Sequence, residues 1–344
     1  MLPNLQKSQK APKVLCFGEA LIDRLGSPGI DPFRDRDAKD CLGGAPANVA
    51  CALAKLGAEV AFLGNLGDDK IGNRFKKLML ERGIDISCLN IDSQLPSRVV
   101  MVRRDLYGER SFDGFAGNEG SGFADEYISL NLIRKHWSFI SGEADWLVVG
   151  TIPLAANQSS ESLWWCIKQA SLHDIQIAID INWRPVFWNS QAKSNESPSD
   201  AQRELIKPLL EMASLIKLSK EEAIWFFNTN DPYRISISLP KRPDIVVTDG
   251  SNPILWSLKG FNGQTNPVTS ISVIDTTGAG DAFTAGLIFK LIQQRFRANS
   301  DLVELNKIVL FAASCGAIVC TAPGAIESQP NYYQVEEFLA DNGG

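Results

Sequence analysis

Imidazole is scarce in this chain. Its 344 residues include two histidines, His136 and His173, so chemistry that needs several imidazoles, such as a histidine-rich zinc site, is excluded. A Ser-His-Asp hydrolase survives only if one of the two is the base. Seven cysteines are scattered without a C-x-x-C pair, an odd count with no framework, which reads as reduced thiols in a cytoplasmic protein. Basic residues are outnumbered, 34 Lys and Arg against 40 Asp and Glu for a net charge of −6, which argues against a nucleic-acid partner. The start, MLPNLQKSQKAPK, has no apolar core of a signal peptide, and residues 1–12 read as a loose leader. The uncharged run Ile308–Ile326 is long enough for a membrane span, yet Gly316, Pro323 and Gly324 interrupt it. It reads as a buried helix followed by a loop, and no membrane partner is expected. Both common phosphate cradles are missing: there is no GxxxxGK[ST], and no GxGxxG follows the first apolar run.

What is present is ordinary globular composition, 44% hydrophobic and 22% charged, with an alternation of short apolar runs and helical stretches. Strands are expected at Val14–Phe17, Val60–Leu63, Trp146–Val149, Ile175–Ile179, Leu215–Leu218 and Ile245–Thr248. Helices are expected at Pro46–Leu56, Lys70–Arg82 and near 157–172, 202–213 and 219–228. Such βαβ alternation predicts an α/β fold, a mainly parallel sheet with helices on both faces. Two segments break the rhythm. Val99–Arg103 and Arg110–Phe115 flank Asp105-Leu106-Tyr107-Gly108, a hairpin turn, and Asn189–Asp200 is a surface loop rich in Ser and Asn. With Phe17–Asp23 leading outward, the hairpin predicts a small β-flap beside the main sheet.

The segment richest in chemistry is Asp275-Thr-Thr-Gly278-Ala-Gly280-Asp281, followed by an apolar helix from Ala282 to Leu291 and preceded by a strand end at Val273-Ile274. Gly278 and Gly280 let backbone approach a ligand closely, and the amides of Ala279, Gly280 and Asp281 are the donors of a helix start, an anion site. Asp281 among those donors stays ionised at neutral pH and is placed to accept a hydroxyl proton beside a bound phosphate. A second constellation runs Gly18-Glu-Ala-Leu-Ile-Asp23, then Gly43-Gly44-Ala-Pro46-Ala-Asn48, then Gly57 and Gly67. There bare backbone lies before a helix, and Asp23 and Asn48 supply groups that grip hydroxyls. Each segment alone also fits a glycine turn with a capping residue.

Together the two segments resemble the signatures of the ribokinase/fructokinase-type (PfkB) carbohydrate kinases, and the likeness extends from about Val14 to Pro330. The resemblance implies a three-layer α/β/α sandwich in one domain, residues 13–330, with a β-lid built from segments near 18–42 and 97–117; residues 331–344 then form a C-terminal tail. It implies Asp281 as catalytic base with Gly278, Ala279 and Gly280 as its anion hole, and Asp23, Gly43, Gly44 and Asn48 as sugar-binding positions. Asp180-Ile-Asn182-Trp-Arg184 resembles a D-x-N-x-R pattern that puts Arg184 near phosphate and substrate and Asn182 near nucleotide. Lys217-Leu-Ser219-Lys-Glu-Glu222 is similar to an N-x-x-E pattern with Ser219 in place of Asn; Glu222 then orients Mg²⁺ through water. Thr248 and Gly250 match the nucleotide loop, in which Pro253 stands where a second glycine is expected. Phe115-Ala-Gly-Asn-Glu119 replaces an aromatic-Arg stretch of the lid.

The implied activity is transfer of the γ-phosphoryl group of ATP to a primary hydroxyl of a sugar, fructose first, with Mg²⁺ as cofactor. K⁺ beside Asp275 and Thr277 is a further option of the family. A 2-keto-3-deoxygluconate, ribose or nucleoside substrate, or a non-catalytic scaffold relative, are the alternatives. A homodimer through the lid is a further option the flap leaves open.

Overall fold

The computed structural model describes residues 11–104, 110–117, 121–268, 271–294 and 301–342. The chain runs β1 (Val14–Phe17), β2 (Leu21–Leu25), β3 (Lys39–Gly43), α1 (Ala45–Leu56), β4 (Val60–Gly67), α2 (Lys70–Glu81), β5 (Leu89–Asp92), β6 (Val99–Arg104) and β7 (Arg110–Phe115). It continues through α3 (Leu130–Ile140), β8 (Trp146–Val149), α4 (Asn157–Leu172), β9 (Gln176–Asp180), α5 (Pro185–Trp188), α6 (Asp200–Glu211), β10 (Leu215–Ser219), α7 (Lys220–Phe227), α8 (Pro232–Ser238) and β11 (Asp244–Thr248). Then come β12 (Ile254–Leu258), β13 (Phe261–Thr265), α9 (Ala279–Gln294), α10 (Leu302–Val319) and α11 (Tyr332–Asp341).

Among the described residues nine strands form one sheet in the order β13-β12-β11-β10-β9-β8-β1-β4-β5, parallel from β5 to β11 and closed by the antiparallel hairpin β12–β13. The adjacent central strands β1 and β8 are apolar throughout because both faces are covered. On β1, Val14 and Cys16 face the layer of α1, α9 and α10, whereas Leu15 and Phe17 face Trp137, Ile167 and Leu209 from α3, α4 and α6. Fully burying a side chain such as Phe17 contributes roughly 1.5–3 kcal/mol. The uncharged run lies in the core as expected: α10 packs along α9 through Phe311 and Phe289, stacked at 6.3 Å.

A second sheet, β3-β2-β6-β7, stands off the C-terminal end of β1. Its strands come from the segments expected to build a lid. Leu21 and Leu25 of β2 pack with Val100, Val102 and Phe115 on one apolar face. Asp23 shares that face by the two-residue period of a strand, a lone carboxylate in an apolar row. The expected turn at 105–108 and most of the 1–12 leader lie outside the described residues.

Four expectations are corrected. Val273 and Ile274 form no strand; they are 57% and 62% exposed, and the amides of Ile274 and Asp275 bond to the carbonyl of Cys320 instead of to a sheet. The helix starts at Ala279, three residues before Ala282, because Gly278 makes the turn. Residues 331–344, expected as a tail, contain α11, opened by a reciprocal Asn331–Gln334 cap and anchored by fully buried Val335. Asp200 likewise belongs to α6 rather than to the surface loop before it.

Candidate active site

The C-terminal ends of β1, β9 and β10 open onto a cleft of about 320 Å³ roofed by the small sheet, the place where an α/β sheet receives ligands. Asp23, Gly44, Asn48, Asn182, Arg184, Ser219, Glu222, Gly278, Gly280 and Asp281 all line it, although they are drawn from five separate stretches of chain. Gly43 lies behind it: a side chain there would meet Asp23 Oδ2 at 2.5 Å, so this glycine is what lets the Asp23 carboxylate cross from β2 to β3. Gly44 caps α1 at φ 94°, and a Cβ would stand 2.7 Å from the carbonyl oxygen of Glu19. Only glycine satisfies both conditions.

Asp281 sits in the first turn of α9. Its Oδ2 accepts a hydrogen bond of 2.8 Å from Asn48 Nδ2. Burial and the neighbouring Asp180 push its carboxyl up to about 6, against the opposing pull of Asn48, Lys217 and Arg184. The carboxylate is thus mostly ionised at neutral pH and more basic than an ordinary aspartate. Asn48 was expected to grip sugar with its whole amide. Its Nδ2 is spent on Asp281, and its buried Oδ1 has no hydrogen-bond partner. The anion turn is narrower than expected. The amide of Ala279 donates to the Thr276 carbonyl at 3.3 Å, leaving Gly280 and Asp281 as the first-turn donors that an α-helix does not pair internally. Gly278 holds φ 76° against Ala325, whose Cβ would be 2.5 Å from any added side chain.

The sequence reading gave no role to Lys217, Asp180 or Thr284. Lys217 Nζ pairs with Asp180 at 3.1 Å, and Thr284 Oγ1 donates to Asp180 Oδ2 at 2.9 Å. A Cβ on Gly280 would lie 2.9 Å from Lys217 Nζ, so the ammonium stands against the anion turn. The signal was there: a lysine inside the apolar strand LIKLS and an aspartate ending QIAID. Glu222 is held by two amides, Oε1 accepting from Trp183 and Oε2 from Ser219, both at 2.7 Å, while Ser219 Oγ caps α7 by accepting from the Glu222 amide. Arg184 stacks on Phe112 of the small sheet at 5.1 Å. Asp275 lies outside the cleft lining and ties two loops, Oδ1 accepting from Thr277 and Oδ2 from Gly324, each at 2.9 Å.

A second groove of about 430 Å³ lies on the other side of the turn. Thr248 and Gly250 line it with Ile254, Val268, Phe283 and Ala317, so it is largely apolar. Asn182 and Ser219, expected near nucleotide, line the polar cleft and not this groove. Pro253 is exposed just before β12. Groove and cleft share Thr276 and Gly280, so a long ligand crosses from one to the other over the first turn of α9.

A sandwich with a small sheet over a cleft, an aspartate at a Gly-Ala-Gly helix start and an apolar groove beyond it define a phosphotransferase-type site. The profile of the pfkB family carbohydrate kinases matches residues 11–331, and the chain belongs to that family. It is 31% identical over 323 residues to the fructokinase of Salmonella typhimurium, covering 92% of this chain and 96% of that protein. Among solved structures, the ATP-bound fructokinase of Xylella fastidiosa matches with a TM-score of 0.79 at 27% identity, covering 97% of this chain and all of that one. A double mutant of the Vibrio cholerae O395 fructokinase, in a form with fructose, ADP and potassium bound, matches with a TM-score of 0.78 at 26% identity, again over 97% of this chain and 100% of that one.

Proposed function

We propose that this carbohydrate kinase is an ATP-dependent fructokinase that makes fructose 6-phosphate. One observation carries the reading: Asp281 stands at the helix start where the polar cleft and the apolar groove meet. Adenosine suits the groove by its apolar walls, and the polyphosphate then lies over Gly278–Asp281, where helix-start amides face negative charge. The sugar takes the polar cleft, with Asp23 and Arg184 on its hydroxyls, Gly43-Gly44 giving it bare backbone, and Asn48 Oδ1 gaining the donor it lacks.

Asp281 accepts the proton of the primary hydroxyl as its oxygen bonds to the γ-phosphorus. The bond from that phosphorus to the bridging oxygen of ADP breaks in the same displacement. The amides of Gly280 and Asp281 and the ammonium of Lys217 face the charge on the transferring group, which is where phosphoryl transfer needs help. Among the described residues no cluster of three or more acidic, His or Cys side chains could cage a metal ion alone. That fits a divalent ion carried mainly by phosphates and water. Glu222, oriented by two amides with lone pairs to spare, suits a water-mediated hold on Mg²⁺, which when bound neutralises phosphate charge. K⁺ is proposed at the Asp275–Thr277 loop, where a carboxylate already bridges two backbone segments. Seven free thiols suit a cytoplasmic setting.

The test is ADP release coupled over a panel of fructose, other hexoses, ribose, 2-keto-3-deoxygluconate and nucleosides. Fructose should give the highest kcat/KM. A preference for a nucleoside or the keto acid, or ATP turnover with none of them, overturns the reading.

A further inference from the structure

Among the described residues seven buried side-chain polar atoms lack a hydrogen-bond partner, and four of them belong to Asn48, Glu19, Arg98 and Asp125. Buried unpaired groups are few in folded proteins, so such a concentration calls for a partner that the protein itself does not supply. Asn48 faces the cleft already described. The other three residues line a separate cavity of about 80 Å³. It opens beside the cleft, since Glu19, Ile152 and Phe187 line both.

The three side chains are 3%, 3% and 7% exposed. Arg98 is held rigidly. Its Nε donates to Asp125 Oδ2 and its Nη2 to Glu126 Oε1, each at 2.8 Å, and its guanidinium lies 4.4 to 4.9 Å from the ring centres of Phe115, Phe123 and Phe187. What remains is Nη1, a donor without an acceptor. Asp125 keeps Oδ1, an acceptor without a donor. Glu19 gives Oε1 to the amide of Ala45 at 3.1 Å and keeps Oε2 unpartnered. Burial first, then Asp125, push the Glu19 carboxyl up to about 8, so at neutral pH it is mostly protonated and donates.

A fixed donor, a fixed acceptor and a carboxylic acid in one cavity suit a group that both donates and accepts, which is a hydroxyl. A phosphate or carboxylate would face Asp125 and Glu126; an ammonium would face Arg98. This rests on the fructokinase reading, in which the sugar fills the polar cleft with its acceptor hydroxyl at Asp281; the cavity adjoins that cleft along Glu19, Ile152 and Phe187 as a small side pocket. A ketohexose carries two hydroxymethyl groups, and with C6 at the phosphorylation point the one left for such a pocket is C1. We propose that Glu19, Arg98 and Asp125 form a second subsite that recognises the C1 hydroxymethyl group of the ketose.

The experiment compares fructose with 1-deoxyfructose in the wild-type enzyme and in Arg98→Lys, whose folding is checked by circular dichroism and thermal melting. A site built around a hydroxyl rejects the analogue lacking it, so wild-type kcat/KM should fall at least about 100-fold for 1-deoxyfructose. In Arg98→Lys, which keeps a cation among the rings but loses the Nη1 fork, that ratio should shrink by roughly tenfold or more. Equal kcat/KM for both sugars in the wild type, within about threefold on the same scale, overturns the subsite alone and leaves a water-filled cavity. An unchanged ratio in folded Arg98→Lys also overturns it. No turnover of fructose overturns the fructokinase reading, and the subsite with it.

Discussion

Asn48 and Asp281 are 233 positions apart, and the amide of one donates to the carboxylate of the other at 2.8 Å. This bond ties the helix behind the glycine pair to the helix behind the anion turn, so sugar site and phosphate site share one rigid contact. It also sets the protonation of the base. Desolvation lifts the Asp281 carboxyl to about 6, and the Asn48 bond is among the groups that hold it from rising further. Catalysis requires the deprotonated form. Activity is therefore present above this value and lost as pH falls through it. The acid limb of kcat/KM should lie near pH 6, and in Asn48→Ala it should move to higher pH, because a group that favoured the carboxylate has gone. A pH profile from 4.5 to 8.5 in both proteins checks this; a limb that stays put or moves down removes Asn48 from any such role.

Replacing the base itself is a stronger intervention. Asp281→Asn keeps the shape and can still meet Asn48 through its side-chain oxygen, so folding should survive. A positioned base is worth roughly 10²–10⁴-fold, and kcat should drop by that factor with little change in the KM for ATP. Retention of more than about half the wild-type rate, against that expected loss, rules the role out.

The two ends of the site should respond separately. Gly44→Val adds a branched side chain at φ 94° and within 2.7 Å of the Glu19 carbonyl, so the loop must shift into the cleft. The sugar KM should rise far more than that for ATP. Conversely, Ala317→Phe fills the apolar groove beyond Gly280 and should raise the KM for ATP while sparing that for sugar. If the two effects exchange places, groove and cleft have been assigned the wrong way round.

Much of this was readable before any coordinates. The glycine pairs, Asp23, Asn48 and Asp281 stand in local patterns whose chemistry residue type and spacing suggest, whereas Arg184 was legible only through the family resemblance. Lys217 and Asp180 are 37 residues apart on neighbouring strands, and nothing local announces that they pair. Arg98 carries no local signal; only the fold brings three aromatic rings and two acids around it. The misread strand at Val273-Ile274 failed for the opposite reason. Two apolar residues before a glycine turn look like a buried strand end, but the amides of Ile274 and Asp275 are taken by the carbonyl of Cys320 at the end of α10, which holds both apolar side chains at the surface.

The Lys217–Asp180 pair makes its own prediction. The two side chains are 11% and 5% exposed, so each charge depends on the other. Lys217→Met leaves an uncompensated carboxylate and should cost about 3–5 kcal/mol in urea unfolding. Adding Asp180→Asn should recover a good part of that loss, since the orphaned charge is removed. Activity should recover much less, because the ammonium against Gly280 is still missing. Recovery of activity in step with stability would show that Lys217 is structural only.

Among the described residues Asp23 is the one carboxylate on the apolar face of the small sheet, and it lines the cleft together with Arg184 and Asp281. Gly43 accommodates it at a distance no other residue would allow. A carboxylate in that setting recognises hydroxyls by accepting from them, and an analogue without those hydroxyls loses these charge-assisted hydrogen bonds, at a cost of about 1–3 kcal/mol. Asp23→Ala should therefore lose affinity for fructose and also lose discrimination against deoxy analogues altered in the ring hydroxyls. The measurement is kcat/KM for fructose over that for 3-deoxy- and 4-deoxyfructose in both proteins. The wild-type ratios should be large and should collapse by at least tenfold in the variant, for whichever hydroxyl Asp23 holds. If both ratios survive the substitution, Asp23 is a structural carboxylate of the lid sheet, and the choice among sugars is made elsewhere in the cleft.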